Sequence, residues 1–316
     1  MPSTLVTGAL GQIGSDLVRT LRAQHGAEAV LATDLRETDT SLGGLYEPLD
    51  VRDGERLKAL IEQYEVDTVY HLASLLSARG EQAPELAWEV NVNGLRYLLE
   101  GARARKLKVF WPSSIAVFGP TTPSTAPQQT VLEPTTMYGV TKVAGELLCQ
   151  YYATRYGVDV RSLRYPGLIS YGAPPGGGTT DYAVEIFYAA LEDGQYTCFL
   201  APETRLPMMY MPDALRATLG LMAAPAEQIR VRTSYNVTAF SFSAAELAAA
   251  LQEHVPNFTV TYAPDFRQAI ADSWPDRVDD SAARADWDWQ PRYDLDTMVD
   301  DMLVHLREKL TIPSNP

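Results

Sequence analysis

Short β-rich runs alternate with helical patterns through the first half of the chain, and this alternation constrains the fold more than any other feature. The β-rich runs are STLVTG, AVLATD, VDTVYHLA, KVFWPSS and VRSLRYP, and the helical patterns lie near residues 12–25, 53–64, 85–105 and 139–157. Alternation of this kind is typical of a parallel sheet that carries helices on both faces. The sequence therefore predicts an α/β fold with a doubly wound parallel sheet.

Three glycines separate the first predicted strand from the first predicted helix, in the segment TLVTGALGQIG. Gly8 would allow a tight turn, Gly11 would let a pyrophosphate approach the backbone, and Gly14 would let the helix pack closely on the sheet. Gln12 and Ile13 begin the helix, whose N-terminus would offer free N–H groups and the positive end of its dipole. The spacing predicts a dinucleotide-binding fold of the Rossmann type.

Asp34 ends the second β-rich run, 20 residues beyond Gly14. A carboxylate there accepts hydrogen bonds from the adenosine ribose and repels the extra phosphate of NADP. The neighbouring residues are Leu35 and Arg36, and the arginine could soften that repulsion. The alternative is a solvated acid at a strand end. With the glycine loop present, we expect a ribose contact and NAD as the cofactor.

Composition and charge narrow the class of protein. The chain has 316 residues with 46% hydrophobic content and a formal net charge of -14, so we expect no nucleic-acid partner and no membrane. Its two cysteines do not form a disulfide framework, and we find no secretory or membrane-spanning segment; the expected location is the cytoplasm. The histidines are scattered, and we expect no metal.

Tyr138 lies four residues before Lys142 in YGVTK, so the two side chains share one helix face. A half-exposed amphipathic pair is the alternative. The run KVFWPSS ends with Ser113 and Ser114, at the sheet edge where a nicotinamide would bind. We predict that Tyr138 is the catalytic base and that Lys142 and the positive nicotinamide lower its pKa. Ser114 would hydrogen-bond the reacting oxygen, with Ser113 as a second candidate.

Several motifs together resemble those of the extended short-chain dehydrogenase/reductases. They are TGALGQIG, HLAS, NVNGLRYLLEGAR, SSIAVFG, YGVTK and LRYPG, and they span most of the chain. The resemblance implies Ser114, Tyr138 and Lys142 as catalytic residues, with Tyr138 and Lys142 also beside the cofactor. The further cofactor contacts that it implies are Asp50, Val51, His71, Leu72, Ala73, Asn91, Tyr165 and Pro166.

One motif of the nucleotide-sugar epimerases and dehydratases in this superfamily is altered. Their second lobe commonly carries an arginine that binds the pyrophosphate of the substrate. Counting back from Asp213 in LPMMYMPD, Leu206 occupies that position. Arg205 is one residue away, and in an extended strand it would face the other side. The change argues against a nucleotide-sugar substrate, although an epimerase or dehydratase stays the alternative function.

The second lobe instead resembles that of the short-chain type of L-threonine 3-dehydrogenase. The runs that carry the resemblance are PGGGTTDYAVEIFYAAL, LPMMYMPDALRAT, YNVTAFSFSAAEL and SWPDRVDDSAARADWDW. The resemblance implies metal-free, NAD-dependent oxidation of the 3-hydroxyl of L-threonine to 2-amino-3-ketobutyrate. The candidate substrate contacts are Ser74, Ser114, Tyr138, Thr179, Thr180, Asp181 and Trp274. For Trp274, ordinary core packing is an equal alternative.

The pattern of elements also divides the chain. We expect an NAD-binding domain over residues 1–167, with a returning segment near 212–238, and a smaller, partly interleaved substrate lobe over 168–316. The sequence does not decide between a monomer and a homodimer. The acidic residues near the C-terminus are expected to form solvated surface.

Overall fold

The fold is described by a computed structural model for residues 3–37, 41–172 and 176–311. Its centre is a sheet of seven strands in which all neighbouring pairs are parallel. From one edge to the other, the strands are β3 (Tyr46–Pro48), β2 (Val30–Asp34), β1 (Thr4–Thr7), β4 (Thr68–His71), β5 (Lys108–Ser114), β7 (Asp159–Tyr165) and β11 (Tyr235–Asn236). The strand order reverses between β1 and β4, which opens a crevice at the carboxyl ends of these strands. The predicted doubly wound parallel sheet is confirmed.

Helices cover both faces of the sheet because the strands are apolar on both sides. The first face packs on α1 (Gln12–His25) and α8 (Met211–Ala223), where residues such as Leu17 and Leu221 are fully buried. The second face packs on α2 (Gly54–Gln63), α5 (Gly94–Arg105) and α6 (Met137–Tyr156). Within β1, Val6 points to the first face and Leu5 to the second.

The helical pattern near residues 85–105 is not one helix. The chain forms α3 (Ser77–Gln82) and α4 (Pro84–Trp88), then a π-helical turn (Glu89–Asn93), before α5 begins. The π-helical turn directs Asn91 into the protein, where it is 2% exposed. Interruptions of this kind are frequent at functional sites.

The remaining elements build a smaller lobe and its links to the sheet. A three-stranded sheet contains β8 (Gly167–Ile169), β10 (Arg205–Tyr210) and β12 (Phe240–Ser243), and a second pair is β9 (Gln195–Cys198) with β13 (Thr259–Tyr262). The helices of this lobe are α7 (Tyr182–Glu192), α9 (Ala244–His254), α10 (Arg267–Ala271) and α12 (Leu295–Thr311), whereas α11 (Ser281–Trp287) packs on the first face of the main sheet beside β11. The strand β14 (Arg277–Val278) pairs with β6 (Thr125–Ala126), in the loop that precedes α6. No helix in the described ranges is long and apolar enough to cross a membrane.

Candidate active site

The glycine loop has the close approaches that the sequence pattern predicts. Gly8 has a φ of 67°, and a Cβ on it would lie 2.6 Å from the amide nitrogen of Ala73. A Cβ on Gly14 would lie 2.1 Å from the carbonyl oxygen of Gly8. The helix α1 begins at Gln12 with no capping side chain and no acidic residue in its first turn. Its first N–H groups are therefore available to an anion such as a pyrophosphate.

A groove of about 280 Å³ runs from this loop along the carboxyl ends of the strands. The predicted cofactor residues that line it are Gly8, Gly11, Asp34, Leu35, Asp50, Val51, Leu72 and Ala73, together with the predicted substrate residue Ser74. Arg52 and Arg79 also line the groove, and no motif in the sequence pointed to them. The glycine loop leaves room for a pyrophosphate, the N-terminus of α1 offers free N–H groups, and Asp34 places a carboxylate at the far end. These features together fit a dinucleotide.

The carboxylate of Asp34 faces the groove and also holds the glycine loop by hydrogen bonds. Its Oδ2 accepts a hydrogen bond from the amide of Leu10 at 3.1 Å, and its Oδ1 accepts one from the amide of Leu35 at 2.9 Å. The Nε of Arg36 lies 4.0 Å from the carboxylate and the arginine side chain is 67% exposed. Arg36 is thus close enough to meet a group bound beside Asp34.

Asp50 lines the groove, whereas His71 is buried in the interior. Hydrogen bonds from Arg52, one of them 3.0 Å from Nε, hold the pKa of Asp50 below its usual value. The Nδ1 of His71 lies 2.9 Å from the hydroxyl oxygen of Thr7. Burial lowers the pKa of His71 to about 3, so the ring is neutral and belongs to the interior beneath the groove.

The hydroxyls of Ser114 and Tyr138 meet where β5 ends and α6 begins. Burial raises the pKa of Tyr138 to about 12, and the hydrogen bond with Ser114 lowers it only in part. Lys142 donates from Nζ to the carbonyl of Pro112 at 2.8 Å and lies 5.4 Å from the centroid of the Tyr138 ring. Burial lowers the pKa of Lys142 to about 7. Burial thus raises the pKa of Tyr138 in the protein without cofactor, and the lowering expected from Lys142 together with the positive nicotinamide stays a prediction.

Two glycines bring α6 close enough to β5 for these contacts. A Cβ on Gly139 would lie 2.2 Å from the carbonyl oxygen of Ala116, and one on Gly145 would lie 2.3 Å from the indole of Trp111. Thr136 caps the helix by accepting a hydrogen bond from the amide of Gly139 at 3.1 Å. The cap sets the start of the helix one residue before Tyr138.

The two candidate serines are distinguished by their partners. Ser113 is 2% exposed, and its hydroxyl is engaged in a hydrogen bond that it donates to the carboxylate of Glu146 at 2.6 Å. Ser114 is partly exposed, and its hydroxyl accepts a hydrogen bond from the amide of Ala116 at 3.2 Å. Ser114 is thus the serine placed beside Tyr138.

Asn91 joins three segments around the site. Its Oδ1 accepts hydrogen bonds from the amide of Leu75 at 2.7 Å and from the hydroxyl of Ser74 at 3.1 Å. Its Nδ2 donates to the carbonyl of Leu75 and to the hydroxyl of Thr141, both at 3.0 Å. These four contacts use every hydrogen-bonding position of the amide. The side chain therefore holds the loop after β4 against α6.

The other predicted substrate residues lie in the second lobe. Thr179 is 3% exposed and lines a cavity of about 590 Å³ next to α3 and α10. Asp181 accepts hydrogen bonds from the amides of Gly177 and Gly178 at 2.7 and 2.8 Å, which places Thr180 in a tight turn before α7. Residues 173–175 of the glycine-proline stretch lie outside the described residues.

Trp274 is partly buried between the core of the second lobe and the apolar cluster around Ile115 and Phe118. Pro166 follows β7 at the end of the sheet. The side chain of Tyr165 is buried in the core, and its hydroxyl bonds that of Thr218, so only its main chain faces the strand end. Contacts of Tyr165 and Pro166 with a nicotinamide stay predictions.

The structure shows what Leu206 and Arg205 contact in the altered epimerase motif. Leu206 is fully buried, and Arg205 donates to the carbonyl of Ser241 at 2.8 Å and pairs with Glu246 at 2.5 Å. Arg205 is thus held on the outer side of β10, bonded across to β12 and α9. It does not offer the cation that a diphosphate would need.

Two of the acidic residues near the C-terminus are not solvated surface, contrary to the expectation. Asp286 is 7% exposed and accepts a hydrogen bond from the hydroxyl of Tyr235 at 2.6 Å. Asp280, also 7% exposed, accepts one from the indole of Trp289 at 3.1 Å. Within the described ranges, no three histidine, cysteine or acidic side chains group as metal ligands.

The Rossmann-type sheet, the dinucleotide groove, the neighbouring hydroxyls of Ser114 and Tyr138 and the comparisons below define the chain as an NAD-dependent oxidoreductase. The model of the NAD dependent epimerase/dehydratase family matches residues 4–238. The chain belongs to this family, and NAD is its cofactor.

Known proteins resemble the chain over nearly its whole length. An uncharacterised epimerase/dehydratase of Staphylococcus haemolyticus is 49% identical over 98% of this chain and 99% of its own. The structure of an L-threonine dehydrogenase from Clostridium difficile is 49% identical with a TM-score of 0.95, covering 98% of each chain. The holo form of a GalE-like L-threonine dehydrogenase from Cupriavidus necator is 53% identical with a TM-score of 0.95, covering 96% of this chain and 100% of its own.

Proposed function

We propose that the protein oxidises the 3-hydroxyl of L-threonine with NAD and forms 2-amino-3-ketobutyrate. The single observation that carries the proposal is the full-length likeness to two solved L-threonine dehydrogenases at 49% and 53% identity. The neighbouring hydroxyls of Ser114 and Tyr138 support it, because a secondary alcohol placed beside them could bond both.

The proposed mechanism assigns one task to each side chain. NAD, when bound in the groove, supplies a nicotinamide ring that accepts hydride. Ser114 orients the substrate hydroxyl, and Tyr138 removes its proton as the carbonyl forms. Because burial raises the pKa of Tyr138 to about 12, the phenolate needs nearby positive charge at neutral pH. Lys142 supplies part of that charge from one turn along α6.

The substrate contacts in the second lobe are proposed with the mechanism. The hydroxyl of Ser74 already donates to Asn91, so Ser74 would accept a hydrogen bond from the threonine ammonium. Thr179 and Thr180 lie in the turn before α7 and would bind the carboxylate through hydroxyl or amide groups. Trp274 would form an apolar wall beside the threonine methyl.

Epimerisation or dehydration of a nucleotide sugar is the second candidate function. The membership in a family named for epimerases and dehydratases favours it. The contacts of Arg205 and the burial of Leu206 oppose it, because a diphosphate would have no arginine at the position where those enzymes commonly carry one.

Steady-state turnover tests the proposal. Purified protein is assayed for NADH absorbance with NAD and L-threonine, beside D-threonine, L-serine and NADP, and beside UDP-glucose and UDP-galactose for sugar turnover. We expect turnover with L-threonine and NAD and none with the sugars. Interconversion of the two sugars without threonine oxidation would contradict the proposal.

A further inference from the structure

A buried ion pair lies one turn beyond Lys142, between α6 and β7. Glu146 is 1% exposed and Arg164 is 4% exposed. The Nε and Nη2 of Arg164 donate to the two carboxylate oxygens of Glu146 at 2.8 and 2.7 Å. A buried ion pair seldom adds net stability over apolar residues of the same volume, because its desolvation offsets its attraction. The pair therefore calls for a role besides stability.

Glu146 contacts the same strand that carries the catalytic serine. Tyr138, Lys142 and Glu146 follow each other at intervals of four residues, so they form one face of α6 toward β5. Ser113 donates to Glu146 at 2.6 Å and directly precedes Ser114. Because neighbouring residues of a strand point to opposite sides, fixing Ser113 from one side also fixes the direction in which Ser114 points.

Glu146 also supplies negative charge that acts on Lys142. Burial lowers the pKa of Lys142 to about 7, and the negative charges of Cys149 and Glu146 act to raise it. Burial raises the pKa of the Cys149 thiol, so that thiol is neutral near neutral pH. His71 faces Lys142 from β4 and is neutral as well. Glu146 is then the charge that favours the ammonium form.

Arg164 keeps this carboxylate in a single orientation. Its Nη1 donates to the carbonyl of Gln128 and to Oδ1 of Asn236, both at 3.1 Å. Asn236 in turn donates from Nδ2 to the carbonyl of Ala126 at 3.3 Å. The guanidinium is therefore fixed by the loop before α6 and by β11, and it holds Glu146 toward Ser113 and Lys142.

We propose that Glu146 is a positioning residue for the oxidation: its carboxylate holds Ser113, and so aims Ser114 at Tyr138, while its charge keeps Lys142 a cation. Arg164 secures the carboxylate in that place. The inference rests on the proposed function for its reacting groups, but one arm of its test needs no substrate.

The kinetic arm uses Glu146→Gln, which keeps the shape and one acceptor and removes the charge. We expect kcat to fall about tenfold, as for the loss of one charge-assisted contact, with KM for threonine unchanged. We also expect the alkaline limb of the kcat profile to move to lower pH, because Lys142 would lose its proton sooner. Because this variant leaves Arg164 without its counter-charge, the double variant Glu146→Gln/Arg164→Met is measured beside it. It should shift the profile in the same direction but by less, because it also removes the cation of Arg164.

The substrate-free arm follows unfolding by denaturant against pH. Lys142 has a folded pKa of about 7, below its unfolded value, so the unfolded chain binds the proton more tightly. Stability should therefore rise with pH above about 7, until the unfolded lysine also titrates near 10.4. In both Glu146 variants the rise should begin at lower pH than in the wild type.

Asp159→Asn is the matched control. Asp159 pairs with the buried Arg161 on β7 at 2.9 Å, far along the strand from the hydroxyl pair. This variant should lose stability while keeping the wild-type pH profile of kcat, since Asp159 acts on the pKa of Lys108 and not on that of Lys142. Unchanged kcat and profiles in the Glu146 variants, or a uniform loss with unshifted profiles, would overturn the inference. A wild type that does not oxidise threonine would contradict the proposed substrate, and the unfolding arm would still decide the role of Glu146.

Discussion

At the scale of single residues, the central feature is a tyrosine whose surroundings oppose its use as a base. Burial raises the pKa of Tyr138 to about 12, although a hydrogen bond with Ser114 acts in the other direction. Lys142 points its ammonium at the carbonyl of Pro112 instead of at the phenol. In the proposed mechanism, Tyr138 would become an effective base when positive charge arrives with the cofactor.

Replacing Tyr138 by phenylalanine removes only the hydroxyl. We expect kcat to fall by about 10²–10⁴-fold, the range for loss of a general acid or base, while NAD binding measured by fluorescence is kept. Tyr152→Phe is the control on the same helix, since that hydroxyl bonds Glu100 away from the groove. Full activity in Tyr138→Phe would rule out the proposed base.

Asp34 offers a second residue-scale test, because its carboxylate has both a structural and a recognition task. Asp34→Asn can still accept the hydrogen bond from Leu10, but it lacks the charge that repels the phosphate of NADP. We expect the preference for NAD over NADP, taken from kcat/KM, to fall by about 10- to 100-fold. Asp34→Ala should weaken both cofactors because the glycine loop loses its anchor. An unchanged preference in Asp34→Asn would show that the charge does not select the cofactor.

The residue-scale predictions from sequence depended on how local each pattern is. The serine, tyrosine and lysine lie in short motifs, and their placement at one sheet edge follows from the fold class. The partners of Asn91, by contrast, are Leu75 and Thr141, 16 and 50 residues away, so its saturated amide had no local signal. Arg79 likewise had no local signal in the sequence, because its place in the groove depends on the path of α3.

At the scale of elements, the approach of α6 to β5 is the arrangement on which the site depends. Gly145 packs against the indole of Trp111, and Lys142 lies 4.7 Å from the centroid of the same ring. The helical period in the sequence predicted α6, with bounds within two residues of those observed. It did not predict the depth of packing, because this depends on a glycine meeting a tryptophan from another element.

Gly145→Ala tests that packing. The added Cβ would lie 2.3 Å from the indole, so either Trp111 or the helix must move. We expect unfolding by denaturant to show a loss of about 1–3 kcal/mol from overpacking, with a fall in kcat as Tyr138 and Lys142 shift. Gly101→Ala in α5 is the control, since its Cβ would lie 3.8 Å from Ile61, an ordinary contact, and alanine favours the helix. Wild-type stability and activity in Gly145→Ala would show that the close packing is not required.

The boundaries of some other elements could not be predicted from the sequence. The strands β3 and β11 have three and two residues, too short for a periodic pattern. The π-helical turn interrupts what reads as one helix. The partners of Asn91, which it buries, are distant in sequence, so the local pattern gave no sign of it.

At the scale of the whole molecule, the site lies where two lobes share segments. Asn236 on β11 bonds Arg164 on β7 and the carbonyl of Asp279, while Asp276 accepts a hydrogen bond from Ser124 at 2.7 Å. These contacts attach the C-terminal region to the loop that leads into α6. The parallel sheet was predictable because strand and helix alternate along the chain. The second lobe was less predictable, because its sheet joins β8, β10 and β12 from three separated segments.

The most direct measurement of the central claim follows the hydrogen at C3 of the substrate. The protein is mixed with NAD and L-threonine deuterated at C3, and the reduced cofactor is analysed by mass spectrometry while its absorbance is recorded. The account predicts that the reduced cofactor carries the deuterium, with slower turnover than for unlabelled threonine, and that Tyr138→Phe forms almost none. Reduced cofactor without deuterium, or no reduction by a protein that still binds NAD, would contradict oxidation at the 3-hydroxyl.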